Sequence, residues 1–246
     1  MRRVLSRLRD SLAQTPRIRN RIPIHTLGSP NGQKTICPLI KPNFVISGGA
    51  GTDISWELEL MQNFSTKIFL VDPTHLSRAL VENLTKTQKF LQLKKELSAL
   101  SFFPFALWDE LTTLPMYPPT AIEQNDYSLV GLQKTKGMSG YEPIKVQTIT
   151  IPKLLEEQRG INIDILKLDI EGAEFKVLKN LFRERIFPEQ ILIEVDELFF
   201  PSIRNIFRAR KVFAILRKNG YVCFYRRYFD FSYIKGTTLL DFDLSD

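Results

Sequence analysis

Residues Ile163 to Glu174, IDILKLDIEGAE, constrain the fold of this chain most, because an apolar run of strand length ends in two carboxylates, Asp169 and Glu171, and then in Gly172. Such a run predicts a strand buried on both faces, as in a parallel sheet. Beyond Gly172 the period changes: Ala173, Val177, Leu178, Leu181 and Phe182 share one helical stripe that Glu174, Lys176, Lys179 and Asn180 avoid. The unit reads as strand, acidic corner, helix. In open α/β sheets ligands bind outside the carboxyl ends of the strands, so Asp169 and Glu171 are the first candidate site residues. The competing reading is that acids at a helix N-terminus complement its dipole and cap free N–H groups, and Glu174 is assigned to that role.

Two further segments join the corner. Asn43 to Ser47 is a short apolar run followed by GGAGTD and by Ile54, Leu58 and Met61 at helical spacing, which predicts a strand, a glycine-rich turn and a helix. Gly48, Gly49 and Gly51 let backbone approach a ligand closely, although a glycine turn without a ligand is a common loop. KIFLVDP is a second apolar strand, and its Asp72 falls 21 residues after Gly51. A carboxylate at the tip of the second strand, roughly 20 residues past the glycines, suits ribose hydroxyls; its alternative role is to cap the helix starting near Pro73.

The remaining elements follow in order. Leu76, Leu80 and Leu84 predict a helix, continued or followed by a Lys-rich stretch with Phe90, Leu93 and Leu97. LSFFPFAL reads as a strand broken at Pro104, and Trp108 and Asp109 behind it either frame an adenine ring or sit at the edge of the core. From Leu111 to Pro143 the pattern is polar and broken, the mark of a substrate lid or insertion. Ile144 to Ile151 reads as extended, and Pro152 to Gly160 as a short helix. QILIEV is a fifth strand ending in Glu194. Ile203 to Leu216 forms a long amphipathic helix stopped at Asn219 and Gly220, and two aromatic strands close the chain. Strands alternating with helices give an α/β parallel sheet with an antiparallel ending.

The net charge is +7, and residues 1–41 carry nine Lys and Arg against one acid, Asp10. The basicity thus belongs to an N-terminal arm over residues 1–42, with the main domain at 43–246, and a nucleic-acid partner is not expected. Val4, Leu5, Leu8 and Leu12 share a helical face among arginines. That helix either packs on its own domain or makes weak contact through residues 1–20 with an anionic membrane surface; Asp10 argues against a targeting presequence. Cys37 and Cys223 are expected as free thiols in a reducing, cytoplasmic setting, and no apolar run reaches a bilayer span.

Taken together, VISGGAGTDISWELEL, FLVDPT and ILKLDIEGAEFKVL with ILIEV resemble the FkbM family of S-adenosylmethionine-dependent methyltransferases, over about Gly28 to Ile234. The resemblance implies a Rossmann-like methyltransferase fold: a mostly parallel seven-stranded sheet with an antiparallel last strand and helices on both faces. It implies methyl transfer to a hydroxyl of a sugar or glycosylated metabolite, with S-adenosyl-L-methionine as cofactor and a small molecule or glycan as acceptor. Carried over by position, Gly48, Gly49, Gly51 and Asp53 line the methionine end of the cofactor, Asp72 holds its ribose, and Asp169 and Glu171 face the transferred methyl; Ser47, at the end of the first strand, and Asp109, beside Trp108, are further cofactor-binding candidates. Many relatives carry Glu-x-His after the fifth strand, whereas here Glu194 is followed by Val195 and Asp196. A hydroxyl acceptor must lose its proton, and Asp169 or Glu171 is the expected base, with a pKa raised by a low-dielectric corner. Alternatively Asp169 and Asp196 hold a hard divalent cation; no metal ligand is assigned. A binding module without turnover and a nicotinamide-dependent oxidoreductase are the rival readings. The second is disfavoured by the absence of a third glycine and by Asp53, which would repel pyrophosphate.

Overall fold

The computed structural model describes residues 2–86, 99–118, 127–130, 142–156, 158, 161–199, 202–240 and 242, without the side chains of residues 2–5, 85 and 86. The expected stripe around Phe90, Leu93 and Leu97, the segment 131–141 and the helix stop at Gly160 lie outside the described residues.

The chain opens with helix α1, Arg2–Ala13, and a hairpin of β1, His25–Leu27, and β2, Lys34–Ile36. Then come β3, Phe44–Gly48; α2, Ser55–Phe64; β4, Lys67–Val71; α3, His75–Lys86; and β5, Leu100–Phe103. Pro104 separates β5 from β6, Ala106–Leu107, and the two halves of LSFFPFAL enter different sheets. Next are β7, Thr113–Met116; β8, Ile144–Ile149; α4, Ile151–Leu155; β9, Ile165–Leu168; α5, Glu174–Arg183; and β10, Gln190–Glu194. A 3-10 turn, Asp196–Leu198, leads to α6, Ile203–Lys218, and the chain ends in β11, Tyr221–Arg227, β12, Asp230–Lys235, and α7, Gly236–Leu240.

Seven strands form the main sheet in the order β11-β12-β10-β9-β3-β4-β5. The pairs among β10, β9, β3, β4 and β5 are parallel, and β12 runs antiparallel to both β10 and β11. Helices cover both faces because the central strands are apolar on both sides. Phe44, Ile46, Leu166, Leu168, Ile191 and Ile193 pack with residues of α4, α5 and α6 on one face. Their odd-even neighbours Val45, Ile165 and Leu192 pack with Trp56, Leu60 and Met61 of α2 and with Leu27 and Ile36 of the hairpin on the other.

The N-terminal lead-in is part of this second layer. The buried side-chain amide of Gln190 accepts from Cys37 N at 2.7 Å and donates to Cys37 O at 3.1 Å, tying the lead-in to β10. Helix α1 packs on the other face. Ala13 is buried, Arg9 donates to Leu198 O at 3.1 Å, and Asp10 pairs with Arg226 at 3.0 Å, while Leu8 and Leu12 stay exposed. Among the described residues no helix is long and apolar enough to cross a membrane.

Candidate active site

Register brings the candidate residues into one row. Gly48 pairs with Val71 on one side and Leu168 on the other, Leu168 pairs with Ile193, and Glu194 pairs with Asp230. The next residue along each strand therefore puts Asp72, Gly49, Asp169 and Glu194 side by side at the carboxyl edge, with Asp230 across from Glu194. This edge borders a cavity of ≈ 360 Å³ whose wall includes Gly51, Asp53, Asp72, Asp169, Glu171 and Glu194.

The glycine turn is built against Asp169. Gly49 adopts φ +82, and a Cβ there would come within 1.8 Å of Asp169 O, so only glycine lets the ends of the neighbouring strands β3 and β9 close up. A Cβ on Gly51 would meet nothing within 4 Å, which leaves that stretch of backbone open to the cavity. Asp72 sets the shape of the turn: its Oδ2 accepts from Ala50 N at 2.8 Å and Gly51 N at 3.2 Å. Its Oδ1 accepts from Thr74 N at 2.8 Å and Thr74 Oγ1 at 2.6 Å, and Thr74 in turn caps α3 by accepting from Ser77 N at 3.3 Å. Asp72 thus lines the cavity but already accepts four hydrogen bonds from its own chain, about the capacity of a carboxylate.

Asp53 stands at the opposite end of the turn. Its carboxylate accepts from Ser29 Oγ and from Ser55 N at 2.9 Å. Burial would raise its pKa, but these bonds and the nearby Lys167 hold it below the usual carboxylate range. The period of β3 turns Ser47 away from the cavity. It shares the α2 face with Val45, and its hydroxyl donates to Glu57 Oε1 at 2.6 Å. Glu57 also pairs with the buried Lys167 at 3.2 Å, which donates to Gly49 O at 2.6 Å behind the turn. Asp109 is directed elsewhere as well. Its Oδ2 accepts from Lys176 at 3.0 Å and its carbonyl from Asn180, because the strand β6 ends against α5; the Lys176 ammonium lies 5.2 Å from the Trp108 ring. The cavity wall there is Ala106 and Leu107.

At the acidic corner, Glu171 takes the left-handed conformation, φ 55, and Gly172 follows at φ 93. Glu174 holds this tight turn, since its Oε1 accepts from Ile170 N at 3.1 Å and Gly172 N at 3.2 Å. Ser128 donates to Glu171 O at 2.6 Å, and its neighbours Tyr127 and Leu129, with Met116, reach the cavity.

The lysine of the hairpin completes the site, and sequence reasoning missed it. Lys34, 9% exposed, places its ammonium 3.1 Å from Asp169 Oδ2 and 3.1 Å from Glu194 Oε2, and also contacts Asp230. It is one of nine basic residues in the stretch 1–41, and its only local signal is a lysine inside the short strand KTI. Burial opposes its charge, but the three carboxylates win and hold its pKa well above the ordinary value. Burial likewise works against Asp169, yet Lys34 and Lys167 keep Asp169 below the usual range. The group pushed up is Glu194, to about 8, by the charge of Asp169 and then by burial. Asp196 and Glu174 are also raised, chiefly by burial. Of the two carboxylates expected to include one with a raised pKa, Asp169 is instead lowered by the lysine, and a raised carboxylate of the cluster is Glu194.

A seven-stranded sheet of this order, helices on both faces and a ligand-sized cavity at the carboxyl edge define a Rossmann-like methyltransferase fold. Residues 109–223 match the model described as the Methyltransferase FkbM domain. The match includes the acidic corner, whereas the glycine turn and Asp72 precede it. Among solved structures, the chain is similar to the methyltransferase FkbM from Methylobacillus flagellatus KT, with a TM-score of 0.51 and 12% identity over 79% of this chain and 44% of that one. It thus spans less than half of that protein, and at such identity the likeness is one of fold. A second similarity is to precorrin-6y C5,15-methyltransferase from Geobacter metallireducens GS-15, with a TM-score of 0.40 and 12% identity over 80% and 84% of the two chains. No curated protein matched the chain in sequence.

Proposed function

We propose that this chain is an S-adenosylmethionine-dependent O-methyltransferase acting on a hydroxyl of a sugar or glycosylated metabolite. The observation that carries the reading is the row of carboxylates along one sheet edge, facing a cavity beside an open glycine turn. Asp53, Asp72, Asp169, Glu171, Glu194 and Asp230 line that cavity, and its two lysines, Lys34 and Lys167, are both engaged with acids or backbone. Such a wall favours a ligand carrying sulfonium and ammonium charges and repels a pyrophosphate, which supports this cofactor over a dinucleotide. The open backbone at Gly51 fits close approach of the cofactor, with Asp53 at its methionine end and Asp72 beside its ribose. When bound there, S-adenosylmethionine supplies an electrophilic methyl group.

The chain's own part is to orient the acceptor and to take its proton. Holding an oxygen in line with the methyl accounts for much of the rate in such a displacement. Asp169 and Glu194 form the base as a pair: Lys34 keeps Asp169 ionised, and the charge on Asp169 makes Glu194 the carboxylate with the higher proton affinity. A proton leaving the acceptor hydroxyl comes to rest on Glu194. Glu171, at the rim, contacts the acceptor side together with Tyr127 and Leu129 of the lid.

Titration calorimetry with S-adenosylmethionine, S-adenosylhomocysteine and NAD tests the reading. Binding of the first two and not the third is expected; the reverse pattern would remove it. Asp169→Asn should retain S-adenosylhomocysteine binding and lose turnover on the hydroxylated acceptor. Full activity in that variant would exclude Asp169 from the base.

A further inference from the structure

Asp196 begins the 3-10 turn that leaves β10, and that position buries it: the residue is 7% exposed and its Oδ2 has no hydrogen-bond partner. A carboxylate oxygen in that state carries a desolvation cost of several kcal/mol unless something positive meets it. The groups acting on it are acids, Glu171, Glu194, Glu174 and Asp169. Lys34 does not relieve this side of the cluster, because its ammonium is shared among Asp169, Glu194 and Asp230.

One ligand oxygen from each of Asp169, Glu171 and Asp196 lies within 4.8 Å of the other two. Around an ion with metal–oxygen distances of about 2.0 to 2.6 Å, neighbouring ligands sit roughly 3 Å apart and opposite ones roughly 4 to 5 Å apart. The three oxygens therefore fit one coordination sphere. We propose that Asp169, Glu171 and Asp196 bind a single hard divalent cation, of the magnesium, manganese or calcium class. The donor set is oxygen alone, with no imidazole or thiolate, which selects these ions over zinc and copper. Asp169 and Glu171 also line the cavity, so the unfilled coordination positions face it and are open to an oxygen ligand there. Cation binding at this cluster stands whether or not the chain transfers methyl groups.

The test uses full-length chelator-stripped protein at pH 8, titrated calorimetrically with manganese and with calcium chloride, alongside the electron paramagnetic resonance signal of free manganese. One ion per chain is expected, accompanied by a rise in melting temperature. Asp196→Asn, which keeps the shape of the side chain, should weaken binding by about tenfold or more, and Asp10→Asn, distant on α1, should bind as the parent does. If Asp196→Asn fails to fold, Glu171→Gln at the cavity rim gives the same reading. Absence of binding at millimolar ion, or affinity unchanged in both Asp196→Asn and Glu171→Gln, overturns the proposal.

Discussion

Glycine is required at Gly49 for two separate reasons, a backbone at φ +82 and a missing Cβ that would lie 1.8 Å from Asp169 O, whereas at Gly51 only the backbone argument holds. Gly49→Ala is expected to cost about 2 kcal/mol or more in denaturant unfolding. Gly51→Ala should cost less and register mainly as weaker S-adenosylhomocysteine binding, because its methyl enters the cavity. Lys34 is the other position where a single atom decides. Lys34→Met leaves three carboxylates facing one another and should destabilise the protein by about 3–5 kcal/mol, more at pH 8 than at pH 6, since Glu194 still holds a proton at the lower pH. The sign for Glu194 itself follows from its raised pKa. Its contribution to stability is complete below the unfolded carboxyl pKa and is lost as pH rises through about 8. In the presence of chelator, unfolding free energy should therefore fall between about pH 5 and pH 8, and Glu194→Gln should flatten that slope.

Among the elements, the hairpin β1–β2 delivers Lys34 to the ends of β9, β10 and β12. Gln190 anchors the segment that follows it by both atoms of its amide. Gln190→Leu removes both partners of Cys37 and should cost about 2–4 kcal/mol, with faster proteolytic cleavage within residues 14–41 as the local readout. The strand–corner–helix unit from Ile163 was legible because apolar runs and helical stripes are local properties. Pro104 was legible as a break, but that its two sides join different sheets was not, since pairing is a long-range matter. Ser47 illustrates the same limit at the scale of one strand: its side of the pleat follows from period, but that Glu57 of α2 waits there follows only from packing.

For the whole molecule, burial on both faces of the sheet has a chemical consequence for the thiols. Cys37 and Cys223 are both buried and free, and burial pushes Cys223 up to about 12. A thiol reagent such as a disulfide dye should therefore label neither at pH 8 until denaturant unfolds the chain, and rapid native labelling of two thiols would contradict the packing described. Several features were determined by sequence alone. The alternation of apolar strands and striped helices dictated an α/β sheet, the glycines dictated a tight turn, and the acids after strand residues Leu168 and Val71 dictated a charged carboxyl edge. These follow from neighbours a few residues apart. Tertiary structure alone decided the state of those charges. Lys34 comes from a segment more than 130 residues before Asp169, and its arrival keeps Asp169 ionised, raises Glu194 and leaves Asp196 with acids for company. Likewise Asp72 belongs to the turn as much as to the cavity, because folding brought Ala50, Gly51 and Thr74 to its carboxylate. Protonation depends on distances of a few ångströms between groups far apart in the chain, and no local pattern records them.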